Sequence, residues 1–149
     1  MKMSLQDWAN EGHLKEHITS RDEIEKLFAV YERDIADAEI ETLSIDRRFA
    51  TAYNAALMMA RAALAASGYR TSGEANHVWT IQSLAFTLNP EVQLIEKFDK
   101  FRKKRNVSDY EMIGMVSEYE ANEMVTMARE LHDMLIEWLK KNHPELLTE

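Results

Sequence analysis

No cysteine occurs in the chain, which excludes disulfides, thiolate metal ligands and cysteine nucleophiles, and suits a reducing cytoplasm. Four glycines and two prolines in 149 residues leave little turn material for an all-β protein, and nothing like a phosphate-binding glycine loop or a nucleophile elbow is present. The longest near-apolar run, Ala55 to Ala66, is too short to span a bilayer and contains Arg61. Met1 to His17 lacks the apolar core of a secretory signal. What remains is rich in Ala, Leu, Met, Glu and Lys, the strong helix formers, with 46% hydrophobic residues. The expectation is one soluble all-α domain, 1–149, with a single core.

The helices can be read in order. A short one is expected at 4–12, anchored by Trp8 and stopped by Gly12. Ser20 and Glu23 form a capping box, and Ile24, Leu27, Phe28, Tyr31, Ile35 and Ala38 follow at helical spacing, with Asp34 mostly outside the stripe. Asp46 to Ser67 is a second long helix, ended by Gly68. Its many alanines let a neighbouring helix or another subunit approach closely on more than one side. A loop at Tyr69–Ser72 leads to a third helix from Gly73 to Leu88, with Val78, Ile81, Leu84, Ala85 and Leu88 inward. Asn89-Pro90 stops it and starts a fourth, whose apolar face is Val92, Leu94, Ile95, Phe98 and Phe101. The last helix begins within Asp109–Met115, breaks near Gly114 and is firm from the Ser117/Glu120 capping box to about Lys141. The tail, 142–149, is expected to fray. Four to five helices with short connections predict an antiparallel up-and-down bundle.

Charge is the second signal. From Lys97 to Arg105 six bases face Asp99 alone, a local +5 within a chain of net −8. Such an asymmetry implies a localised anionic partner. The plain alternative is a solvated face whose cations complement the helix dipole. Arg105, Asn106, Asp109 and Tyr110 follow within two turns and offer a guanidinium, an amide, a carboxylate and a phenol at one helix junction. A metal cofactor is not expected. A di-iron bundle needs two Glu-x-x-His motifs and the chain has one, Glu74 to His77. His13, His17, His132 and His143 form no i, i+4 pair of the zincin type, His-Glu-x-x-His, and read as mostly solvated.

These stretches resemble the HEPN superfamily (higher eukaryotes and prokaryotes nucleotide-binding), small helical bundles found as toxins, defence components and partners of minimal nucleotidyltransferases. Arg47 to Gly68 is similar to that family's alanine-rich helix, with His77 where a histidine often follows. Arg105 to Glu111, RNVSDYE, is similar to its signature of an arginine, a short spacer and a histidine, in the variant that ends on tyrosine. The resemblance implies a HEPN-like fold, a homodimer with two copies of the junction facing a shared cleft, and RNA or another phosphate-bearing ligand. Arg105 would hold phosphate, Asn106 and Asp109 would orient it, Tyr110 would make polar contact, and Lys100, Arg102, Lys103 and Lys104 would line the cleft.

Ribonuclease members carry histidine where this chain has Tyr110, and no histidine lies within six residues after Arg105. A phenol of reference pKa near 10 is a poor base at neutral pH. The resemblance therefore implies RNA binding first, and metal-independent cleavage by a toxin or defence component only if Tyr110 can replace the histidine. The second reading is a non-catalytic dimeric module that docks on a nucleotidyltransferase or antitoxin, with Arg105, Asp109 and Tyr110 paired as an internal network. The two differ in whether Arg105 and Tyr110 face a cleft or lie buried.

Overall fold

A computed structural model describes residues 3–73, 76–107 and 109–147, and for Asp109 and Met112 the backbone only. Its frame is four long helices, α2 (Arg21–Ala38), α3 (Ile45–Ala66), α5 (Val92–Arg105) and α7 (Glu118–Asn142). The short elements are α1 (Leu5–Asn10), α4 (Asn76–Gln82) with a 3-10 turn at Ser83–Phe86, and α6 (Asp109–Met112). The chain is a mostly helical bundle, and among the described residues no helix is long and apolar enough to cross a membrane.

The alternation of direction can be followed through side chains. Arg48, at the start of α3, donates to the Ala38 carbonyl at the end of α2 and to Asn122 at the start of α7. Arg21, at the start of α2, reaches the Glu145 carbonyl beyond the end of α7. Thus α2 runs against both α3 and α7, and α3 and α7 run the same way. Helix α5 returns alongside this pair, its Lys97 bonded to Glu123 and its Phe101 edge-on to Phe49.

Helix α3 is the central element because it has little bulk. Ala52, Ala55, Ala56, Ala60, Ala62 and Ala63 are all 0% exposed, so α2 and α7 can both approach its backbone closely. The close approach that the alanines allow is therefore used within one chain. Phe49, Tyr53 and Leu57 fill the wider spaces, in one cluster with Phe98, Phe101, Met124, Leu131 and Leu135 from α5 and α7. Methionines on α3 and α7 serve as core filler here.

Several boundaries differ from the sequence expectation. Tyr69–Thr71 is a strand, β2, paired antiparallel with β1 (Leu14–Glu16), where a loop was expected. Helix α4 starts at Asn76, after Gly73 at φ +98°, and ends in the 3-10 turn, which leaves Ala85 exposed instead of inward. Val92 opens α5 on the solvent side, 65% exposed. Asp34 is buried instead of outside the stripe, because Asn54 donates to it at 2.5 Å and Arg33 at 3.0 Å. Around Leu146 the tail is docked: it forms a 3-10 turn at Pro144–Leu146 and buries Leu146 against the core. Glu74 lies outside the described residues.

Candidate functional site

The basic run gets its position from the core stripe that precedes it. Ile95, Phe98 and Phe101 are buried, and the same face of α5 continues through Arg102 and Arg105, at four and seven residues from Phe98. The stripe turns cationic where the core ends, so both guanidiniums lie at its rim. Arg102 donates to Asp99 at 2.8 Å, with both side chains largely covered. Arg105 is half-buried, and no carboxylate among the described side chains pairs with it.

These two arginines and Asn106 form one wall of a groove of about 460 Å³. The facing wall comes from Tyr53 and Asn54 on α3 and His77 on α4. Tyr53 Oη and His77 Nδ1 are 3.2 Å apart. Burial is the main cause that pushes the Tyr53 phenol well above its usual range, so its hydroxyl keeps its proton at all ordinary pH. His77 is shifted down, first by desolvation and then by the positive charges of Arg61, Arg102 and Arg105. The groove therefore offers two guanidiniums beside an imidazole whose neutral form is favoured. Asn54 is fixed in this wall by its bond to the buried Asp34 carboxylate.

Other members of the expected site are elsewhere. Tyr110 is 87% exposed and lines a second, wider groove of about 880 Å³ with Arg47, Asp37, Ile40 and Ile113. Arg105 forms the divide between the two grooves and lines both. Lys104 is bonded to Glu120, and Lys100 lines a depression with Glu120 and Glu123, so both face the acidic start of α7 and not the arginine groove. Lys103 is 3.8 Å from Asp99 and mostly in solvent. Asn106 is exposed at the groove mouth. The Asp109 side chain lies outside the described residues. A groove between α5 and α7 of about 450 Å³ carries Glu91, Glu123 and Glu130 against Lys97, a wall that repels anions.

The sequence reading placed Arg102, Arg105 and Asn106 near one another but did not bring in Tyr53 or Asn54, and it used His77 only as a family landmark. The available signal was Asn54 itself, a polar residue inside an alanine helix. The remaining histidines are engaged instead of solvated: His13 stacks on Trp79, His132 stacks on Tyr31, His17 pairs with Glu23, and His143 lies against Trp138. Among the described residues no three metal-ligating side chains converge. No family model, curated protein or solved structure matches the chain.

Proposed function

We propose that this chain is a HEPN-like RNA-binding protein whose site is the groove between α5 and α3/α4, with Arg105 and Arg102 as the phosphate-binding groups and His77 as the proton acceptor for metal-independent cleavage. The observation that carries this reading is an imidazole lining one groove with two guanidiniums, one of them without a carboxylate partner among the described side chains. A guanidinium fork matches phosphate oxygens, and a pair of them stabilises the charge that builds up as a phosphodiester is attacked.

In this reading the substrate 2′-hydroxyl gives its proton to His77 as its oxygen attacks the neighbouring phosphorus. The bond to the 5′-oxygen breaks, that oxygen takes a proton from water in the open groove, and a 2′,3′-cyclic phosphate remains. Tyr53 supports either tautomer. Its oxygen accepts from Nδ1–H while Nε2 acts as base, and still accepts from it once Nε2 holds the proton and both ring nitrogens are donors; in the other neutral tautomer its hydroxyl donates to Nδ1. His77 thus does the work that the resemblance would give to a histidine after Arg105, and Tyr110 is left at the edge.

The test is cleavage of a fluorogenic RNA oligonucleotide in EDTA. Arg105→Ala and His77→Ala should each lower the rate at least about 100-fold, and Tyr110→Phe should leave it near wild type. Loss of cleavage in Tyr110→Phe with full activity in His77→Ala would assign the chemistry to the phenol instead. RNA binding by the wild type with no cleavage would remove the catalytic role of His77.

A protein partner is the second reading, favoured by a specific feature. Ile40, Tyr110 and Ile113 are exposed and line the same groove as Arg105. A second copy, or a nucleotidyltransferase or antitoxin, would cover them. If the partner is a second copy, the protein sediments as a dimer at micromolar concentration and Ile113→Glu shifts it to monomer; a wild type that is monomeric throughout ends the homodimer.

A further inference from the structure

Helix α3 is buried on nearly all sides, yet it keeps one narrow polar strip. Arg47, Asn54 and Arg61 recur at seven-residue steps, two turns apart on one face. Three grooves follow one another along that strip. The first is flanked by Arg47, the second by Tyr53 and Asn54, and the third, of about 380 Å³, by Arg61. Arg105 belongs to both the first and second, and Asn76 to both the second and third, so the recesses adjoin one another along the helix.

The charge along them is uneven. The first groove sets Asp37 and Asp46 against Arg47 and Arg105 and has an apolar floor. From Arg105 onward the balance is positive: Arg105 and Arg102, the latter shared with Asp99, then Arg61 and Arg70. The one carboxylate that lines the third groove among the described residues, Glu23, is held by His17 at 2.8 Å and Thr19 at 2.6 Å. A second, independent feature stands at the far end. Arg70 on β2 lies directly across from Lys15 on β1. Like charges at opposed positions of an antiparallel pair destabilise it, and a polyanion between them removes that cost.

We infer that this track binds a single-stranded RNA over several consecutive phosphates, running along α3 from Arg105 past His77 to Arg61 and Arg70. The inference rests on the RNA reading above and adds the path and strandedness of the substrate. Asn54 and Arg61 are separated by about 10 Å along the helix axis, and Arg70 lies further on, so one phosphate cannot engage both ends. A duplex is too wide to follow a recess one helix across, whereas a single strand can seat its phosphates on the arginines and stack bases against His77 and Tyr69, which line the second and third grooves.

The probe is a set of 2′-O-methyl oligouridylates of two, four, six and eight nucleotides, which resist cleavage, with binding read by fluorescence anisotropy at several salt concentrations. Affinity should rise with length and then level. Arg61→Ala and Arg70→Ala should each weaken the longer oligonucleotides several-fold, make the slope of log K against log salt shallower by about 0.7, and leave the dinucleotide unchanged. Arg61→Glu gives a larger loss in the same direction, and thermal melting shows that the variants fold. Affinity independent of length, with Arg61 and Arg70 neutral, would overturn the track while an Arg105→Ala loss still upheld the site. Equal binding of a duplex would overturn the single-strand assignment. If no oligonucleotide binds the wild type at low salt, the RNA reading itself fails.

Discussion

Desolvation of the His77 ring first, and then the positive charges of Arg61, Arg102 and Arg105, make its neutral form the one the fold favours. The unfolded chain binds that proton more readily than the folded one, so stability rises with pH through the window below the ordinary imidazole value of about 6.5. The contribution is complete above that value and is lost as pH falls toward the lowered folded pKa. Urea denaturation at several pH values should show this component in wild type and lose it in His77→Asn. A wild-type curve indistinguishable from the variant's would mean that neither desolvation nor the three guanidiniums act on the ring. Asn54 makes a different residue-scale claim. Its amide is a hydrogen-bond donor to the buried Asp34 carboxylate, and Asn54→Ala should cost about 1–3 kcal/mol by leaving that group short of a partner. Equal urea midpoints for the two proteins would contradict the role given to that bond.

At the scale of elements, local rules succeeded where one stretch of chain decides the outcome. The Ser117 hydroxyl accepts from the Glu120 amide while the Glu120 carboxylate accepts from the Ser117 amide, as the capping box implies, and Gly114 at φ +82° marks the break before it. Ser117→Ala should therefore lower stability by about 1 kcal/mol, a fall in Tm of about 2–4 °C; an unchanged Tm would deny that the cap holds α7. Ser20 caps α2 in the same way, but Glu23 turns to His17 and Thr19 instead of back to the cap. Tertiary company overrode the local pattern there. The same reason hides the strands: three residues are too few for alternation to register, and β2 exists because β1 is alongside it. The docking of Leu146 and the burial of Asp34 are likewise set by neighbours distant in the chain. The candidate site divides in the same way. Arg102, Arg105 and Asn106 share one helix end and were legible together, but Tyr53, Asn54 and His77 join them only through the packing of α3 and α4 on α5.

For the whole molecule, the small side chains of α3 decide the architecture, since they let one helix be the shared core of α2 and α7 while a single polar strip stays open beside the arginines. Ala60 is fully buried in that arrangement. Ala60→Leu should overpack it and cost about 1–3 kcal/mol, read as a lower urea midpoint; a neutral result would show room that the packing does not have. On the RNA reading, the net charge of −8 would make the local positive groove more selective, because a polyanion would be repelled by most of the surface and attracted at one place.

The most direct measurement is the salt dependence of RNA binding by wild type and Arg105→Ala. Removing one phosphate contact should weaken binding and make the slope of log K against log salt shallower by about 0.7. Equal affinities and equal slopes for the two proteins would contradict the assignment of Arg105, and with it the groove, to a phosphate backbone.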